Sequence, residues 1–130
     1  QVYHLGDFGF GNLSEYSGRL NGEIHLIQGN HDCSTTWNTF KFASRQHHLV
    51  LEHDGVKVLM IHMPVHRDGF QHEVPTGCEF DICLYGHVHH FEPDWIQKNN
   101  KWYKNCSVEV LNYRPALLSD VLSSRPTMPV

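Results

Sequence analysis

Gly86-His87-Val88-His89 stands directly after the apolar run Ile82-Cys83-Leu84-Tyr85. Four consecutive apolar residues of this length read as a strand covered on both faces. The glycine predicts a sharp backbone turn at the strand's end. Open α/β sheets build their sites just past the carboxyl ends of strands, so both imidazoles are expected to emerge there. Two neutral imidazoles aimed into one space make a metal site or a costly accident of desolvation. Three other stretches decide between these: Gly6-Asp7, Gly29-Asn30-His31-Asp32 and Ile61-His62.

Each of the three also ends an apolar run. Val2 to Leu5 reads as a short strand running into Gly6-Asp7. The glycine-rich turn Phe8-Gly9-Phe10-Gly11 follows, and Asn12 with Glu15 suits a capping box for a helix whose stripe is Leu13, Tyr16 and Leu20. Asn21-Gly22 would end that helix. Ile24 to Ile27 is the next strand, which makes a βαβ unit ending at Gly29-Asn30-His31-Asp32. Trp37, Phe40 and Ala43 share a helical spacing within Ser34 to Ser44. Leu49-Val50-Leu51 and Val56 to Ile61 flank Asp54-Gly55, a type I′ hairpin signal, and the second strand delivers His62. Residues 65–80 are polar, rich in His, Gly and Pro, and read as a loop over the site. A second hairpin is expected from Trp95 to Lys104 across Asn99-Asn100, then a strand at Val108 to Leu111. Pro115 would start a last helix with Leu117, Leu118, Val121 and Leu122 inward. Residues 1–130 read as a single domain, with residues 123–130 as a tail.

The whole-chain numbers narrow the function. The 130 residues are 40% hydrophobic and 18% charged, as in ordinary globular domains. A net charge of −4 supplies no overall basic field for nucleic acid, although a locally positive metal cleft would not register in that sum. No apolar run has the length of a membrane span, and no signal peptide opens the chain. Cys33, Cys78, Cys83 and Cys106 form no CxxC pair and read as reduced thiols, consistent with a cytoplasmic protein. Twelve histidines are the compositional anomaly. His4, His25, His47, His48 and His53 read as surface or satisfied core residues, and His90 as lying outside any ligand set.

Asp7, Asn30, His62, His87 and His89 therefore all lie just past strands. Carboxylate, amide and imidazole without thiolate suit Mn²⁺, Fe²⁺ or Zn²⁺ better than a structural zinc. An aspartate can bridge two metals, and a pair about 3.5–4 Å apart is the standard device for attack on phosphorus. In order and spacing the four motifs resemble the calcineurin-like metallophosphoesterase superfamily. Tyr3-His4-Leu5-Gly6-Asp7-Phe8 is similar to the wording of its small bacterial and phage members.

The resemblance implies a four-layer α/β/β/α sandwich. It implies hydrolysis of phosphate mono- or diesters by a metal-activated hydroxide, with two divalent metals and manganese favoured. Asp7 would bridge both metals. Asn30, His62 and His87 would hold the second, and His89 would reach the first. His31 would approach the phosphoryl group or the leaving oxygen as the catalytic residue, with Asn30 as a further substrate contact. Apart from the resemblance, Arg67 in the loop after His62 reads as a cation able to clamp a phosphate or as an exposed loop charge. Asp32 would cap a helix or orient its neighbours. The partner would be a small phosphate ester, with no membrane, and oligomeric state is left open.

The sequence departs from the family twice. No Asp-x-His precedes Asp7, and none of the seven aspartates has a histidine two residues on. The first strand and two first-site ligands are thus expected to be missing from this chain, with one metal site better formed than the other. Phe10 and Gly11 stand where members acting on phosphoserine and phosphothreonine carry an Asp and an Arg. That favours a phosphodiesterase over a protein phosphatase. The competing expectation is a catalytically impaired homologue that binds a metal, a nucleotide or a protein partner.

Overall fold

The computed structural model describes residues 1–126. β6 (Ile82–Tyr85) is buried along its whole length and lies in the middle of a five-stranded sheet, ordered β4-β5-β6-β8-β7. It runs parallel to β5 (Val56–Ile61) on one side and to β8 (Lys101–Asn105) on the other. β4 (His48–His53) and β7 (Trp95–Lys98) close the edges as antiparallel hairpin partners. Both hairpins turn on two left-handed residues, Asp54 and Gly55 in one (φ 51° and 80°) and Asn99 and Asn100 in the other (φ 53° and 63°). Such turns match the right-handed twist of the strands they join.

A second sheet is smaller and wholly parallel: β1 (Val2–His4), β2 (Ile24–Ile27) and β3 (Ser44–Gln46). The strand period sorts the five-stranded sheet into two apolar faces. Leu59, Ile61, Cys83, Tyr85 and Tyr103 form one, covered by Val65, Phe80 and Val74 of the loop at 65–80. Val58, Met60, Ile82 and Leu84 form the other, which packs on Ile27, Tyr3 and Leu5 of the small sheet and on Val121. Beyond the small sheet, Leu13, Phe8, Phe40 and Phe42 cover Ile24. Burying each large side chain in these layers is worth about 1.5–3 kcal/mol.

The two packed sheets agree with the expected sandwich, but its helical layers are thin. The helix expected from Asn12 is a single 3-10 turn, Ser14–Tyr16. Ser14, Ser17 and Gly18 are weak helix formers. Of the expected stripe only Leu13 is buried, while Tyr16 and Leu20 lie exposed. The helix expected between Ser34 and Ser44 is α1 (Ser34–Thr39), after which the chain becomes β3. Over the other face the covering layer is loop with one 3-10 turn at Gln71–Glu73.

Val108 to Leu111 does not form a strand. Both flanks of β8 are already taken by β6 and β7, and residues after Ser107 wind into turns, with the Val110 and Leu111 amides donating to its carbonyl. The last helix, α2 (Leu118–Ser123), starts later than Pro115, so Leu117 lies outside it and is exposed. Of the expected tail at 123–130, Ser123 belongs to α2 and residues 127–130 lie outside the described residues. No helix among the described residues is long and apolar enough to cross a membrane. All four cysteines are free thiols.

Candidate metal centre

Asp7 and Asn30 follow β1 and β2 of the small sheet, while His62 and His87 follow β5 and β6 of the large one. The packing of sheet on sheet brings these four strand ends together. One ligand atom each from Asp7, His62 and His87 lies within 4.8 Å of the others.

Local chemistry fixes their orientation. His62 is buried, and its Nδ1 lies 2.6 Å from the Leu5 carbonyl oxygen. Nδ1 must therefore carry a hydrogen and donate it, so in the neutral ring Nε2 is a bare lone pair. That lone pair faces Asn30 Oδ1 at 3.1 Å and Asp7 Oδ2 at 3.4 Å. Three electron-pair donors turned on one another repel unless a cation or a proton stands among them. The His87 ring crosses that of His62 nearly at right angles, with centroids 5.2 Å apart. Burial first, and then the neighbouring His62, lowers the proton affinity of His87, while Asp7 opposes them. The net effect keeps its imidazole neutral, the form that binds metal. Asp7 and His87 are both left-handed (φ 54° and 70°), a strained conformation for residues with a Cβ and one found disproportionately at functional sites.

Asp32 secures the Asp7 side. Its Oδ2 accepts from the amides of Asp7 (2.8 Å) and Gly29 (2.9 Å), and its Oδ1 accepts from Phe8 (2.8 Å). The His31 amide donates to Asp7 Oδ1 at 2.9 Å, leaving the exposed His31 ring beside Phe10, 5.5 Å between centroids. Gly6 and Gly29 are steric requirements. A Cβ at Gly6 would collide with the His62 ring and the Gly29 backbone, and one at Gly29 with Asp7. Gly86, by contrast, is not left-handed; the turn it was expected to enable is made by His87 and His89 (φ 53°) instead.

His89 and Arg67 sit apart from the converging atoms. His89 Nδ1 lies 2.6 Å from a Glu109 carboxylate oxygen, with its side chain largely exposed. Burial pushes the Glu109 carboxyl up, but its own amide and then His89 outweigh that and hold it below the ordinary value. Arg67 Nε lies 3.2 Å from Glu92. Glu92, Glu109 and Asn105 carried no signal in the sequence, because Asn105 is placed by the pairing of β8 with β6 and the two glutamates by contacts between segments distant in the chain. His90 stacks on Phe91, 4.4 Å between centroids, outside the cluster.

The sequence profile of the Calcineurin-like phosphoesterase superfamily domain matches residues 1–107. The chain belongs to that superfamily. It is 34% identical over 125 residues to an uncharacterized protein of Methanocaldococcus jannaschii, covering 90% of this chain and 61% of that protein's length. The fold is shared with a protein of unknown function from Aquifex aeolicus (TM-score 0.65, 24% identity, 93% of this chain and 74% of that one). It is shared too with an archaeal phosphodiesterase (TM-score 0.52, 21% identity, 82% and 66%). The superfamily uses divalent metals, and the Asp7, His62 and His87 group fits one: oxygen and neutral nitrogen donors converge with no cationic side chain among them.

Proposed function

We propose that this chain hydrolyses phosphate esters, diesters in preference to phosphoproteins, with a divalent cation held by Asp7, Asn30, His62 and His87. The observation that carries this is the bare Nε2 of His62, aimed at two oxygens because its Nδ1 proton is committed to Leu5. Manganese suits this mixed donor set, with iron and zinc as alternatives. The bound ion would supply Lewis acidity and a water activated at neutral pH.

The chain's own residues supply the rest. Asp7 and Asn30 present fixed oxygens, and Asp32 fixes Asp7. His31, exposed and with no hydrogen bond to its ring nitrogens among the described residues, donates a proton to the leaving oxygen. Phe10 beside His31 offers no carboxylate to pair with it, which supports diesters over phosphoserine. His89 belongs to a second cation position, and Arg67 and Asn30 reach the substrate.

The test is Mn²⁺ uptake by calorimetry together with turnover of chromogenic mono- and diesters. Uptake that is lost in His62→Ala and His87→Ala supports the site, and His31→Ala should abolish turnover while Mn²⁺ stays bound. A chain that takes up no metal and hydrolyses nothing refutes the proposal. A second reading, an impaired one-metal homologue, is favoured by the engagement of His89 with Glu109. It predicts one Mn²⁺ per chain and no turnover.

A further inference from the structure

The loop after β6 carries two left-handed histidines, His87 and His89, and something must hold it against that strain. Its own hydrogen bonds are short-range turns, from the Val88 amide to Gly86 and from the Phe91 amide to Val88. Asn105, fully buried beside Tyr85 in the sheet register, donates to the His89 carbonyl at 2.7 Å. The Gly86 amide donates to the His62 carbonyl at 3.0 Å, and His89 Nδ1 meets Glu109 at 2.6 Å. A further anchor is Glu92. One of its carboxylate oxygens accepts from the Tyr85 hydroxyl at 2.9 Å and from His66 Nε2 at 2.9 Å, and the other pairs with Arg67 Nε at 3.2 Å.

Tyr85 and His66 are buried, and Glu92 is only 13% exposed. His66 Nδ1 is buried without a partner among the described residues. A second proton there would be an unpaired buried donor, so His66 is neutral and donates through Nε2 alone. Burial likewise lowers its proton affinity. His66 and Arg67 sit four and five residues beyond His62, in the loop that follows it. One carboxylate therefore spans the His87 loop and the His62 loop.

We propose that Glu92 is a positioning residue: through Tyr85, His66 and Arg67 it locks the loop of His87 to the loop of His62 at the separation a cation requires. This rests on the reading that Asp7, Asn30, His62 and His87 hold a divalent cation. Glu92 takes no part in the chemistry, since its oxygens are spent on the three donors.

The test compares Glu92→Ala and Glu92→Gln in the full chain, using Mn²⁺ calorimetry and amide hydrogen exchange of the metal-free protein. Loss of such supporting contacts weakens metal sites by about 10–100-fold, the loss expected for Glu92→Ala. Its Val88 and Phe91 amides should exchange at least tenfold faster, while amides of β5 and β6 keep their protection. Glu92→Gln retains a carbonyl for Tyr85 and His66 and should stay within about threefold of wild type. Should Glu92→Ala fail to fold, Tyr85→Phe removes one tie while keeping the ring, with faster exchange at Val88 and Phe91 expected.

Wild-type Mn²⁺ affinity and unchanged loop exchange in Glu92→Ala, or in Tyr85→Phe in its place, overturn the proposal. So does a Glu92→Gln as weak as Glu92→Ala, which would make charge rather than position decisive. If the wild type itself binds no Mn²⁺, the cation reading fails, while the exchange rates still report on the tie.

Discussion

Asp32→Asn changes one atom in a residue that is 9% exposed and accepts three backbone amides. The asparagine oxygen can keep the Asp7 and Gly29 amides, but its NH₂ then meets the Phe8 amide, donor against donor. An unpaired buried amide costs about 1–3 kcal/mol. Turning two bonds to a charged acceptor into bonds to a neutral one loses about 2 kcal/mol more. The expected destabilisation is therefore about 3–5 kcal/mol, a large share of the roughly 5–15 kcal/mol typical of a small domain. Urea unfolding of the metal-free protein at pH 7 reads it directly. At a slope of about 1–3 kcal/mol per molar, the midpoint should fall by more than 1 M with the slope unchanged. Mn²⁺ affinity should fall as well, because the Asp7 amide is one of the three. A loss of stability below about 1 kcal/mol would refute the reasoning, since it would mean that water already satisfies these amides.

Gly29→Ala should abolish Mn²⁺ uptake by displacing Asp7, whereas Gly86→Ala meets nothing nearer than the Leu5 carbonyl at 3.4 Å and should keep uptake within a few-fold; equal effects would contradict the steric account. His4, His48 and His66 are each held below the ordinary value of 6.5, by burial first of all. The unfolded chain then binds more protons, so this stability is complete above pH 6.5 and is lost as pH falls through the folded values. Urea midpoints of the metal-free protein should drop from pH 7.5 to 5.5, and a flat profile would exclude the effect. Burial pushes the Cys106 thiol up to about 12 and the Cys83 thiol well above its ordinary value, while backbone amides of Thr35 and Thr36 lower that of exposed Cys33. Under limiting iodoacetamide, mass spectrometry should find Cys33 alkylated first and Cys83 and Cys106 last.

The sequence carried the strands and their ends because those are local properties. A continuous apolar run such as Ile82 to Tyr85 has few alternatives to a buried strand, and Asp54-Gly55 or Asn99-Asn100 few alternatives to a tight turn. The helices were less legible. An apolar stripe such as Leu13, Tyr16 and Leu20 becomes a helix only where a neighbouring layer buries it, and here only Leu13 finds one. The residues steadying the site were illegible for another reason. Asn105 reaches His89 because β8 pairs with β6 in a register that sets it beside Tyr85, and Glu92 meets His66 across 26 residues of chain. Periodicity reports which face a side chain takes, not which strand will be its neighbour.

Asp7 and Asn30 belong to one sheet, His62 and His87 to the other. A cation held by all four is therefore also a crosslink between the two halves of the sandwich. Its binding free energy enters the cohesion of the fold by mass action, about 2.7 kcal/mol at a hundred times the dissociation constant. Removing a ligand then weakens the join between the sheets as well as the reaction centre. For this architecture, resistance to unfolding and readiness for chemistry are filled from a single reservoir of divalent ion.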